Sequence, residues 1–563
     1  MILLLLSWVY ILFTTINLGF FLDKILKLKV QNLTFLSILG LFSTTIMASF
    51  WAIFGRINFE FHLALLFLNF ALFLSNKKAI ISIYKNFFLE LKYLDKTLKI
   101  LLGLIALLIV AQCASIPFII DNESYYIQTI KWMNEYGFVK GLGNLHIYLG
   151  QTSGWHVLQS AFNFSFIYPN FNDLSGFCLL LGNIFSIQKL DNYFKTKNKT
   201  DLIIGLFPLS NILLFQFISA PSPDLPIYVF TFIICSLFLD NYRKINSETF
   251  NWISILVLFS LYIKTTSIAL SLIPILILFQ NYKNLKIYKI TSLALVILFL
   301  FIVKNLIITG YPLFPITKNF GLTFDYQIPE KIATYYYDLT KHFGYSLSKS
   351  KFQEMSFPEI FMHWLNLPKL HGFFNKISIV LIVLSPIIIY KFYNKTKFWV
   401  FYAVMVLQFI LLFMSSPQYR FVMNFILIFS FLLLSLILNK KQIILISLSA
   451  FTLLLTILVF IPLNFSLLTK NKHTLESSNF SFKNFVFPYT DTKYDTAFEL
   501  LKNENLYYYN PTNIDFFWGT GDGPLPCVRK KQLDYFEKKY QVKPQMRSDT
   551  IKDGFYAKDT SKR

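Results

Sequence analysis

Residues Leu98–Ile120 read LKILLGLIALLIVAQCASIPFII, and Asp121–Phe166 continue as DNESYYIQTIKWMNEYGFVKGLGNLHIYLGQTSGWHVLQSAFNFSF. The first run has the length and apolar character of a helix that crosses a bilayer. The second begins with two carboxylates, Asp121 and Glu123, directly after the end of that span. Acidic groups are costly to place there, so we expect them to serve a function.

The composition of the whole chain indicates a membrane protein. Of its 563 residues, 55% are hydrophobic and 15% are charged, and apolar runs of about 20 residues recur along most of its length. Helices satisfy their own backbone hydrogen bonds in lipid, so the sequence predicts an all-α polytopic membrane protein with about 13–14 transmembrane helices. The predicted spans are residues 2–21, 34–54, 57–75, 98–120, 172–188, 201–219, 223–239, 250–264, 267–281, 290–309, 375–391, 397–415, 420–438 and 442–464.

The formal charge of +22 indicates topology and contact with membrane lipid, and it does not imply a nucleic-acid partner. Lysines concentrate in alternate loops, such as the cluster between 77 and 99, as the positive-inside bias requires. This places the external loops 121–171 and 310–374 on the same external face as the C-terminal tail. We expect a multi-pass protein of a bacterial inner membrane, with its active face external, that is, periplasmic.

The sequence predicts two domains. Residues 1–464 form the polytopic membrane domain, with external juxtamembrane helices in its loops, and residues 465–563 form a small external C-terminal region. The tail is polar and rich in tyrosine. Its runs FSFKNFVFPYT (480–490) and LYYYNP (506–511) have the pattern of strands.

The loop after the fourth span carries the densest group of candidate catalytic residues. Either Asp121 or Asn122 can cap the following helix, and the alternative role of Asp121 is that of a catalytic base. Glu123 either complements a helix dipole or assists Asp121 and binds a metal ion. Two short amphipathic helices then frame a cleft, and His146 and His156 are candidate substrate-binding residues, with a structural role as the alternative for each.

Charged residues near the external ends of other spans are further candidates for substrate binding. Asp224 lies in SAPSPDLP, where it either caps the next helix or faces the cleft, and that helix should begin at Asp224 or Leu225. Lys264, Lys304 and Arg420 can each snorkel to water or converge on a lipid-linked phosphate, because Arg and Lys both bind phosphate oxygens. Trp364, in the 310–374 loop, belongs either to a carbohydrate-binding platform or to an interfacial aromatic belt.

Two resemblances follow from these motifs. DNESYYIQTIKWMNEYGFVKGLGNLH, SAPSPDLP, KNLIITGYPLFP, SPQYRF and WGTGDGPLPC together resemble the LIC_10190-type family of bacterial polytopic membrane proteins. The pair Asp121–Glu123 after a span resembles the GT-C superfamily of glycosyltransferases, and this resemblance implies a GT-C-like fold. It also implies a polyprenyl-phosphate sugar donor, a glycan or protein acceptor, and a divalent cation, Mg²⁺ or Mn²⁺, as the one cofactor to consider.

The resemblance to GT-C enzymes implies sugar transfer in cell-envelope polysaccharide or glycoprotein assembly. Asp121 would be the general base, Glu123 its partner or a metal ligand, and the basic residues would bind the phosphate. An O-antigen-type polymerase or ligase, which uses a polyprenyl-pyrophosphate glycan, is the first alternative. A transporter or flippase is the second, but the sequence has no clear inverted repeat of the kind that transport predicts.

Overall fold

The computed structural model describes residues 1–169, 171–242, 245–281, 285–318, 320–393, 395–489 and 492–561. The α-helices in chain order are α1 (Ile2–Leu26), α2 (Leu33–Phe54), α3 (Phe59–Tyr93), α4 (Lys96–Cys113), α5 (Ile127–Glu135), α6 (Gly154–Ser160), α7 (Leu174–Thr196), α8 (Lys199–Gly205), α9 (Asn211–Leu214), α10 (Asp224–Asn241), α11 (Ser247–Ile263), α12 (Leu272–Asn281), α13 (Tyr288–Thr309), α14 (Glu330–Tyr345), α15 (Lys349–Glu354), α16 (Phe357–Leu365), α17 (Lys369–Ile388), α18 (Thr396–Ser415), α19 (Met423–Ile437), α20 (Lys441–Phe460) and α21 (Lys530–Tyr540). The strands are β1 (Phe498–Asn503), β2 (Leu506–Pro511), β3 (Val542–Met546) and β4 (Phe555–Asp559).

The described part of the chain contains 11 helices long and apolar enough to cross a membrane, judged by length and composition. This confirms the coarse prediction of a mostly helical, multi-pass membrane-type protein, with fewer full-length spans than the predicted 13–14. Two predicted spans form shorter apolar helices, Ser247–Ile263 and Thr265–Asn281. A third, α7, carries polar residues such as Asn183 and Asp191 along its length, which lowers its hydropathy.

Small residues allow α1 and α2 to pack against each other at close range. A Cβ atom added to Gly40 would lie 1.9 Å from the carbonyl oxygen of Thr15, and one added to Gly19 would lie 2.0 Å from that of Leu36. Close backbone contact of this kind is how small residues stabilise helix pairs in lipid. The two glycines therefore fix the spacing of the first helix pair.

Replacing Gly40 by alanine is expected to destabilise the protein by about 1–3 kcal/mol, the usual range for overpacking. The obstacle is backbone, which cannot move aside as a flexible side chain can. The measurement is the apparent melting temperature in detergent, compared with that of Gly103→Ala in α4, where an added Cβ meets nothing within 4 Å. Equal melting temperatures for the two variants would contradict this account of the packing.

The C-terminal region forms two antiparallel hairpins, β1–β2 and β3–β4, with α21 between them. The prediction of a strand at LYYYNP is confirmed, because β2 covers those residues. The prediction for FSFKNFVFPYT is wrong for its described residues, which contain a short 3-10 turn at Phe482–Asn484, and its last residue, Thr490, lies outside them. Backbone atoms of this segment bond to the ends of α1 and α20 instead of to another strand: Ile2 N donates to Phe485 O, and Phe480 N donates to Val459 O.

Candidate functional site

Asp121 forms an ion pair with Arg420, a residue 299 positions away in the chain. The Asp121 carboxylate accepts a hydrogen bond from Arg420 Nη1 at 2.5 Å, and Arg420 Nε donates to Gln418 Oε1 at 3.0 Å. The prediction that Asp121 can cap the next helix is wrong. A π-helical turn, Asn122–Tyr126, follows Asp121, and the turn has no side-chain cap. The carboxylate is instead held by Arg420.

A second ion pair lies beside the first. Lys264 Nζ donates to Asp224 Oδ1. Helix α10 begins at Asp224, which is one of the two starts that the sequence predicted. The Lys264 ammonium lies 4.0 Å from the centroid of the Phe421 ring, and the Arg420 guanidinium lies 5.1 Å from the same centroid. One aromatic ring thus holds both cations by cation–π contact. We call Asp121, Arg420, Asp224 and Lys264 the ion-pair cluster.

The ion-pair cluster is partly open. The side chains of Asp121, Lys264 and Arg420 keep 20%, 20% and 27% of their surface exposed, whereas Asp224 keeps 3%. Charges that are half withdrawn from water interact more strongly than surface charges do. Three of the four groups can therefore meet a ligand, and Asp224 serves mainly to hold Lys264.

Trp364 lies in the packed interior and not on a surface that could bind a sugar. Its side chain is 1% exposed and packs on Phe409 and Phe413. Its Nε1 donates to the carbonyl of Pro417 at 2.9 Å, three residues before Arg420. Tyr228 also holds this segment, because its hydroxyl donates to the Arg420 carbonyl at 2.6 Å. Both side chains position the segment that carries Arg420.

Lys304 is a buried cation near the end of α13. Its side chain donates to Thr152 O at 2.5 Å and to Asn305 Oδ1 at 2.8 Å, and the residue is 3% exposed. Among the described residues no carboxylate forms an ion pair with it. Burying an ammonium without a counter-ion costs several kcal/mol. A cation held this way is suited to an anionic ligand.

His156 and His146 are buried and neutral. Burial lowers the pKa of His156 to about 3 and that of His146 to about 4, since the charged imidazole loses its hydration. His156 completes a capping box at the start of α6, and its ring lies 4.7 Å from that of Tyr126. His146 Nε2 contacts the Trp518 carbonyl at 3.2 Å. Both histidines therefore have structural roles in the loop: His156 caps α6, and His146 contacts the C-terminal region.

Glu123 points to the C-terminal region and not to the ion-pair cluster. Its Oε1 accepts from the backbone N–H of Lys493 at 2.9 Å, and its backbone carbonyl accepts from the N–H groups of Thr520 and Gly521. The residue is 1% exposed. Burial raises the pKa of its carboxyl from 4.5 to about 7. The geometry fits a residue that joins the loop to the C-terminal region.

The stability of the wild-type protein is expected to fall as pH rises from about 4.5 to about 7, relative to a Glu123→Gln variant. The folded state holds the Glu123 proton more tightly than the unfolded state does. This contribution is complete below the unfolded pKa and is lost as pH rises through the folded pKa. Melting temperatures of both proteins across this range test it, and a pH-independent difference between them would contradict it.

Several residues of this site were not singled out from the sequence. Phe421, Gln418 and Tyr228 hold Arg420 and Lys264, and Tyr148 stacks on Tyr125 with ring centroids 5.5 Å apart. The sequence feature that could have identified three of them is their position close to the candidate residues Arg420 and Asp224. Phe421 and Gln418 flank Arg420 within SPQYRF, and Tyr228 lies one helical turn after Asp224.

The fold and the site together define a multi-helix membrane-type protein with a partly open ion-pair cluster at the ends of its helices. The chain belongs to the family described as Domain of unknown function (DUF8201), whose model matches residues 1–427. The match includes all four residues of the ion-pair cluster and ends before the C-terminal region. Comparisons with curated proteins and with solved structures give no match.

Proposed function

We propose that the protein is a GT-C-type membrane glycosyltransferase. It moves a sugar from a polyprenyl-phosphate donor to a glycan or protein acceptor at the outward face of a bacterial inner membrane. The observation that carries the proposal is the ion-pair cluster. Segments separated by up to 299 residues bring a carboxylate and two cations to one partly exposed place at the helix ends.

Asp121 is the general base of the proposed reaction. The acceptor hydroxyl oxygen attacks the anomeric carbon, and a C–O bond forms as its proton passes to the Asp121 carboxylate. The bond between the anomeric carbon and the phosphate oxygen breaks, and the phosphate leaves with the electron pair. A base placed within hydrogen-bond reach of the hydroxyl contributes about 10²–10⁴-fold to such a step.

Arg420, Lys264 and Lys304 are the phosphate-binding groups. Negative charge grows on the leaving phosphate, and fixed cations stabilise that charge in the transition state. A bound phosphate offers Arg420 a second anion, so the ion pair with Asp121 weakens and the carboxylate becomes free to accept a proton. Among the described residues, Lys304 pairs with no carboxylate that it would have to release, and its hydrogen-bond partners are neutral oxygens.

The divalent cation stays a prediction, and no step above depends on it. Its predicted ligand, Glu123, has one oxygen, Oε1, engaged by the N–H of Lys493, whereas its buried Oε2 accepts no hydrogen bond from a described residue. The described residues contain no group of three or more His, Cys, Asp or Glu side chains placed to hold a metal ion.

The test reconstitutes the full chain in vesicles with undecaprenyl phosphates that carry different radiolabelled sugars. A membrane extract of the producing cells supplies the acceptor. Transfer releases the undecaprenyl phosphate and moves label into water-soluble or protein-bound product. Label that crosses the vesicle membrane while it stays on the lipid would indicate a flippase and would overturn the proposal.

The O-antigen-type polymerase or ligase is a second candidate, because three cations suit a pyrophosphate leaving group. The same vesicles distinguish it when the donors carry a pyrophosphate link in place of a phosphate link. Turnover of only the pyrophosphate donor would favour this candidate. An Arg420→Ala, Asp121→Asn double variant is needed beside the single variants, because each single change leaves the other charge without its partner.

A further inference from the structure

A cleft of about 650 Å³ lies where the end of α2, the end of α5 and the C-terminal region meet. Residues from all three parts line it, and it is separate from the ion-pair cluster. We propose that this cleft binds the headgroup of a zwitterionic phospholipid. The proposal does not depend on the proposed function, because it uses other residues and a binding measurement.

One wall of the cleft is aromatic. Phe50, Trp51 and Phe54 line it, and their exposed fractions are 56%, 36% and 73%. All three lie in the last turns of α2, one of the helices long and apolar enough to cross a membrane. Aromatic side chains at the end of such a helix sit at the level of the lipid headgroups. The wall thus provides a surface for the glycerol backbone and upper acyl chain of a lipid.

The rim of the cleft carries both signs of charge. Arg56 and Glu60 form an ion pair of 2.6 Å, so each already has a partner of opposite charge. Glu135 and Lys552 also line the cleft, and neither forms an ion pair with another described residue. One acid and one base remain available for a ligand.

This pattern is complementary to a headgroup that carries a phosphate and an ammonium. Lys552 is placed to bind the phosphate, and Glu135 is placed to bind the ammonium, each by a charge-assisted contact. An anionic headgroup such as phosphatidylglycerol would satisfy Lys552 alone and would face the charge of Glu135. The cleft therefore favours a zwitterionic lipid over an anionic one.

The test measures lipid retention by native mass spectrometry on the purified full chain. The protein is incubated in turn with phosphatidylethanolamine, phosphatidylcholine and phosphatidylglycerol. The expected result is stronger retention of at least one zwitterionic lipid than of phosphatidylglycerol. Glu135→Lys is expected to reduce retention of the zwitterionic lipid by about tenfold or more, because it replaces an attractive contact with the ammonium by a repulsive one. The same change is expected to increase retention of phosphatidylglycerol.

Glu354→Lys is the matched control, because Glu354 is an exposed acid in α15 that does not line the cleft. It makes the same change in net charge and should leave the order of the three lipids unchanged. Lys552→Gln should reduce the retention of all three lipids, because each carries a phosphate. Equal retention of the three lipids by wild type, or the same effect of both charge reversals, would overturn the proposal. Elution as a single symmetric peak in size-exclusion chromatography checks that each variant is folded.

Discussion

Replacing Asp121 by asparagine is expected to lower the rate of sugar transfer by about 10²–10⁴-fold, the contribution of a positioned general base. Asparagine keeps the shape of the side chain and can still accept a hydrogen bond from Arg420, but it cannot take a proton from the acceptor. The protein should insert and fold as before. The measurement is the initial rate in the vesicle assay, together with the melting temperature.

Asp522→Asn provides the control for this variant. Asp522 accepts from Lys131 at 2.7 Å, with 31% of its side chain exposed, so the same substitution breaks an ion pair of similar exposure that lies outside the ion-pair cluster. Transfer should continue at the wild-type rate in this control. Near-normal transfer by the Asp121 variant would remove Asp121 from the catalytic role.

Replacing Lys304 by methionine is expected to weaken binding of undecaprenyl phosphate by about 10- to 100-fold. This is the effect of losing one charge-assisted hydrogen bond of about 1.5–3 kcal/mol. Methionine fills a similar volume without the charge. The measurement is the dissociation constant of undecaprenyl phosphate for protein in detergent.

A melting temperature for the Lys304→Met variant distinguishes a binding role from a structural one. The variant leaves Thr152 O and Asn305 Oδ1 without their donor, yet it also removes the cost of burying a cation that has no described carboxylate partner. These effects oppose each other, so we expect little net change in stability. Lys131→Met is the control. A large loss of stability with unchanged lipid affinity would mean that Lys304 is structural.

Periodic and compositional signals predicted the helical framework well. The apolar runs from Ile2 to Phe460 appear as helices in the structure, because a bilayer span needs a run of fixed length and little else. SAPSPDLP predicted that the next helix begins at Asp224 or Leu225, since prolines mark where a helix can begin, and α10 begins at the first of these. The orientation of these helices in a particular membrane stays a prediction.

Side-chain directions could not be predicted in the same way. Asp121 and Glu123 are two residues apart, but the π-helical turn after Asp121 sends their side chains to different partners, Arg420 and Lys493. Trp364 looked suited to a surface because it lies in a long loop, yet it fills the interior. Such outcomes depend on contacts between distant parts of the chain, which no local pattern contains.

The contacts of Glu123 with the C-terminal region also constrain the order in which the protein can be built. The backbone of Glu123 bonds to Thr520, which lies 397 residues later. At about 5–20 residues per second, a ribosome needs roughly 20–80 s to make the chain between them. During this interval the loop of Asp121 has already been made but lacks its contacts with the C-terminal region. The C-terminal region is therefore made well after the loop, and the contacts of Glu123 form only once residues around Thr520 have been synthesised.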